Sequence, residues 1–98
     1  MDPRPDASPV EPTSFATETF VRHGPFVRRT LRRLGVGPER LDDAVQDVFV
    51  VLVRRVHDYD ARHEPRRWLW GISRRVAWRH RGQARRDARI GSLEGQRL

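Results

Sequence analysis

The sequence predicts an all-α fold, a compact domain of three to four helices behind a disordered N-terminal tail. Three observations carry that expectation. Apolar residues recur every three or four positions through most of the chain. Pro38 and Pro65 stand at the heads of two such runs, where a helix tolerates a missing N–H. The one strand-like stretch, Val48 to Val53, has no second strand to pair with. The chain has 98 residues, 37% of them hydrophobic, which gives one modest core and one domain.

Residues 1–13 hold Pro3, Pro5, Pro9 and Pro12, with Val10 as the only large apolar residue between Met1 and Phe15. Such a segment cannot offset its own ordering entropy, so a tail is expected there. Thr13 or Ser14 can cap a first helix that carries Phe15, Thr19 and Phe20. Gly24-Pro25 is expected to break or kink it. Phe26, Val27, Leu31 and Leu34 continue the apolar face, and Gly35 and Gly37 close the segment. Leu41, Val45, Val48, Leu52 and Val56 then form a long stripe at helical period. That stripe begins before the valine run and outlasts it, which favours helix over strand. Residues 57–64 show no period and read as a loop. After Pro65, the residues Trp68, Leu69, Ile72 and Val76 make a third core face. Beyond Trp78 only Ile90, Leu93 and Leu98 are large and apolar, and Gly82, Gly91 and Gly95 favour fraying or a linker. The expected domain covers residues 14–86, and residues 87–98 begin a linker.

Charge separates the two halves. Residues 1–60 carry 9 Arg against 10 Asp and Glu, net −1; residues 61–98 carry 11 Arg against 3 acids, net +8. All 20 basic residues are arginine. A basic C-terminal part beside a neutral N-terminal part points to a polyanion, with a solvated basic helix as the plain alternative. The absence of cysteine excludes disulfide scaffolds, thiolate zinc sites and cysteine nucleophiles. The longest apolar run has six residues and cannot span a bilayer.

Two constellations stand out. On the second helix Asp43, Gln46, Asp47, Val50 and Arg54 share a face roughly opposite the apolar stripe. They form either an ordinary solvated face or an acidic-amide strip that docks a basic helix, with Val50 and Val53 as a small dry contact. Asp42 points differently. The second constellation is a loop with Tyr59, Arg62 and His63 that leads into a helix with Arg66, Arg67, Arg74, Arg75, Trp78, Arg81 and Arg85. Arginine neutralises phosphate and aromatic faces stack on unpaired bases, so the set suits single-stranded nucleic acid. Trp68 reads as a core anchor, and Tyr59 reads equally well either way. No catalytic arrangement, cofactor or metal is expected. Ser73 has no His–Asp pair placed by sequence to activate it, and His23, His57, His63 and His80 are taken as surface or loop residues.

The string from Leu41 to Phe49, Leu-Asp-Asp-Ala-Val-Gln-Asp-Val-Phe, resembles the region 2 signature of bacterial extracytoplasmic-function sigma factors. The string from Trp68 to Ala77, Trp-Leu-Trp-Gly-Ile-Ser-Arg-Arg-Val-Ala, resembles the second motif of the same domain, at the usual distance. The resemblance covers about residues 14–86. It implies a transcription initiation factor that is not an enzyme and works in the cytoplasm, at the nucleoid. Asp43, Gln46, Asp47, Val50 and Arg54 would bind the coiled coil of the β′ subunit of core RNA polymerase, and Asp47→Arg would abolish that binding with the fold intact. The stretch from Tyr59 to Glu64 would capture a base flipped from the non-template strand of the minus-ten promoter element. The arginines of the third helix would hold the upstream duplex edge and the melted strand. An anti-sigma factor is an implied partner. The chain departs from the family pattern at His63, Pro65 and Arg75, and it lacks the family's second domain, region 4, as a piece of a longer protein or a natural short form. The alternative is a stand-alone arginine-rich helical nucleic-acid-binding protein without polymerase contact; a third is an adaptor that never touches nucleic acid.

Overall fold

The computed structural model describes residues 12–59, 62 and 64–97, with side chains between Ser14 and Leu93. Three α-helices make up the fold: α1 (Pro12–Arg33), α2 (Pro38–Arg54) and α3 (Pro65–Arg97). A single 3-10 turn, Val56–Asp58, follows α2. The described residues contain no strand, so the valine run is helical as its period predicts. Residues 1–11 of the expected tail lie outside the described residues, while Pro12 and Thr13 already belong to α1.

Helix α1 is continuous through Gly24-Pro25, which overturns a break there, one of the two expectations of a break or a kink. Proline removes one N–H and so leaves the carbonyl of Val21 without its partner four residues on. Val21 is 73% exposed, so water is at hand for it. Ala16 before the proline and Val27 and Leu31 after it are all fully buried, so one packed face spans the site.

The α1–α2 connection follows from local chemistry. Gly35 has a φ of +96°, a left-handed conformation that glycine adopts freely. Its N–H donates to the carbonyl of Arg32, and that of Val36 donates to Leu31. This pair of bonds is the Schellman helix ending, and the burial of Val36 beside Leu31 completes it. Pro38 then opens α2 from the N-cap residue Gly37.

The core forms where the three helices meet. Helix α1 contributes Ala16, Val27 and Leu31; α2 contributes Leu41, Ala44, Val48 and Leu52; α3 contributes Leu69, Ile72, Val76 and Ala77. Val45, Trp68 and Val53 are partly buried against it, so Val53 serves the core rather than an outer contact.

Helix α3 runs on through Gly82 and Gly91 to Arg97, rather than fraying there. Its 33 residues make a rod about 50 Å long. From Arg85 to Leu93 every residue is exposed, and in this stretch Asp87 is tied to Arg40 of α2. No helix among the described residues is long and apolar enough to cross a membrane.

Candidate nucleic-acid and docking interfaces

Helix α3 presents three kinds of side chain because its period sorts them around the axis. Leu69, Ile72, Ser73, Val76, Ala77 and His80 face inward. Arg67, Arg74, Trp78, Arg81 and Arg85 face outward, and all are exposed. Trp78 is 75% exposed. Trp70 belongs to the same outward row, at 45% exposure, with the Arg74 guanidinium 5.7 Å from its ring centroid. The sequence reading missed Trp70, although 70, 74 and 78 are one helical turn apart and would have revealed the row. Arg81 leans back on the α1–α2 connection: a Cβ on Gly35 would lie 3.2 Å from its Nε.

A third row, Trp68, Gly71, Arg75 and Arg79, faces the C-terminal end of α2. Together with Val51, Arg54, Arg55, Asp58, Ile72 and Val76 it lines an open groove of about 510 Å³. The floor is apolar and the rim carries four arginines. Arg55 is drawn to Asp58 at 3.4 Å and Arg79 to Asp47 at 3.6 Å. Arg54, expected on the docking strip, therefore also stands at this groove beside Arg75.

The loop residues separate. Tyr59 is half-buried, with its ring 5.6 Å from Phe15 and 4.8 Å from Trp68. That aromatic chain pins the segment after α2 onto α1 and α3. Arg62 is exposed, and His63 lies outside the described residues. Arg66 leaves the outward row and lies 5.2 Å above the Phe26 ring on α1.

On α2, Asp43, Gln46, Val50 and Arg54 are exposed, as the strip requires. Asp42 turns to α1 and accepts a 2.8 Å bond from Arg28. A shallow apolar hollow adjoins the strip on that side, lined by Phe20, Val21, Val45, Gln46 and Phe49. Asp47 turns the other way. Its Oδ2 accepts a 2.6 Å bond from Nε2 of His80.

His80 is buried at 7% exposure, which corrects its expected surface position. It follows Val76 by four residues, so the core period itself points to it. Its Nδ1 meets Nη1 of Arg40 at 3.3 Å. A guanidinium only donates, so Nδ1 accepts and the proton sits on Nε2. Arg40 also donates to Asp87 at 2.6 Å, and Gln83 donates to Asp87 at 3.3 Å. These bonds stitch the start of α2 to the far half of α3. The Asp47–His80 pair resembles a catalytic dyad only in type. Ser73 is fully buried and lies two helical turns, about 10 Å, from His80.

Two outcomes follow for this seam. His80→Ala should cost about 1.5–3 kcal/mol, the worth of hydrogen bonds to charged groups, as read by chemical denaturation. The Arg40 hydrogen bond holds the Asp87 carboxyl below its ordinary value of 3.8, against some desolvation, with Gln83 and Arg86 adding to it. A depressed carboxylate stabilises the fold above its unfolded value and loses that contribution as pH falls through the lowered folded one. Asp87→Asn should therefore be less stable at neutral pH and match the parent below the carboxylate range, in thermal melts across a pH series.

The described residues thus define an all-helical domain with an outward arginine row, an arginine-rimmed groove and a partly acidic helix beside them. A family model for sigma-70 region 2 matches residues 19–87. The chain belongs to the sigma-70 region 2 family, and so has a sigma-factor-like role in transcription initiation, with RNA polymerase and promoter DNA. No curated protein and no solved structure matches it.

Proposed function

We propose that this is the region 2 domain of a bacterial extracytoplasmic-function sigma factor. It binds core RNA polymerase, at the coiled coil of the β′ subunit, through the α2 strip of Asp43, Gln46, Val50 and Arg54, with the half-buried Asp47 at its edge. It recognises and melts the minus-ten element by holding the non-template strand. The observation that carries this reading is the division of α3 into an outward arginine row and an arginine-rimmed groove, next to the loop. Arg67, Arg74, Trp78, Arg81 and Arg85 take the backbone of the strand. Arg62, His63 and Arg75 serve to contact the extruded base, and Tyr59 and Arg66 fix the loop and the start of α3. Extrusion costs a few kcal/mol of unstacking, which stacking and phosphate contacts offset. The domain works in the cytoplasm, at the nucleoid, and an anti-sigma factor would act by covering either face. Residues 87–98 then begin a connection toward a region 4 domain.

Fluorescence anisotropy with matched oligonucleotides tests the DNA half. The chain should prefer single strands to duplex, because splayed bases rather than an intact groove meet its loop. Arg74→Ala or Arg85→Ala should weaken all sequences alike and reduce the salt slope by about 0.7. Equal affinity for both forms would favour a generic basic-helix binder without polymerase contact.

A further inference from the structure

Gly71 sits in the second turn of α3, inside the helix, where glycine is a poor choice on stability grounds. Packing does not call for it. A Cβ built at Gly71 would find nothing within 4 Å, and its φ is not positive. Gly35 is the contrast, since its left-handed backbone requires glycine. What lies in front of Gly71 is the groove. It lines that cavity between Trp68 and Arg75, over the apolar floor of Val51, Ile72 and Val76. A volume of about 510 Å³ is within the range of small-ligand sites. On its rim Arg55 is drawn to Asp58 and Arg79 to Asp47, which leaves Arg54 and Arg75 to favour an anion, and the apolar floor with the Trp68 indole suits a flat, weakly polar ring.

We infer that Gly71 is a specificity-determining residue: its missing side chain lets a base of a single-stranded nucleic acid approach the α3 backbone, and so sets the size limit of the groove. The inference rests on the DNA-binding reading above. The stability that glycine gives up is exchanged for room. An added methyl group at this point occupies space the base needs, without touching any charge.

The test compares Gly71→Ala, Gly71→Ser and Arg75→Ala in the full chain, with labelled single-stranded DNA oligonucleotides at several salt concentrations. Gly71→Ala should melt about 2–8 °C higher, as expected for glycine to alanine in a helix of a domain this size. It should nevertheless bind at least about tenfold more weakly, the usual effect of one misplaced methyl group in a pocket. Its salt slope should stay that of the parent, while Arg75→Ala lowers the slope. Gly71→Ser should show the same loss of binding. If the two glycine variants bind like the parent while Arg75→Ala weakens binding, the inference fails alone. Lowered melting temperatures in both glycine variants would also overturn it, since packing would then be what requires glycine. If Arg75→Ala binds normally, the DNA-binding reading of the groove fails and takes the inference with it.

Discussion

Asp43→Arg is expected to abolish binding to core RNA polymerase and leave the melting curve of the domain unchanged. Asp43 is exposed on the outer face of α2 and makes no hydrogen bond or ion pair among the described residues. Reversal both removes an attraction and adds a repulsion against a basic partner helix, so the loss should reach several kcal/mol. Asp47→Arg should behave differently. The sequence alone placed Asp47 on the same strip and made its reversal neutral for folding. In the structure its carboxylate accepts the bond from buried His80 and faces Arg79. A guanidinium there would lose that bond and stand among Arg40, Arg79 and His80. Stability and polymerase binding should therefore fall together at Asp47, and only binding should fall at Asp43. Binding assays beside thermal melts separate the two positions.

Leu52→Ala should cost about 2–5 kcal/mol of stability. Leu52 is fully buried in the cluster shared by all three helices, so truncation leaves a cavity that the surrounding backbone closes only in part. Native proteins have a total stability of roughly 5–15 kcal/mol, so the loss removes a large share of it and lowers the melting temperature. Denaturant titration measures the loss. DNA and polymerase binding should both fall in proportion to the unfolded fraction, unlike the selective loss at Asp43.

The helices were legible wherever one periodic stripe decided the structure. Leu41, Val48 and Leu52 on α2, and Leu69, Ile72 and Val76 on α3, are the core residues their spacing indicates. Local rules erred where tertiary packing overrode them. Pro25 lies inside α1 because the buried face on both sides of it holds the helix together. The glycines of α3 do not end it, since a lone glycine weakens a helix without terminating it. The exposed α2 strip and the outward arginine row could be listed from helical period alone. The inter-helix pairings could not. Arg40, Asp47, His80 and Asp87 lie up to 47 positions apart, and nothing in their spacing says that they meet. The groove was hidden for the same reason, since its rim joins the end of α2 to the middle of α3.

In the proposed function one small domain joins polymerase docking on α2 to single-strand capture on α3. Titration of the labelled chain with purified bacterial core RNA polymerase tests it most directly, with and without a minus-ten non-template oligonucleotide. The expected result is saturable binding to core that Asp43→Arg removes, and tighter capture of the oligonucleotide when core is present. Oligonucleotide binding that core leaves unchanged, with no association between the chain and core, would contradict it.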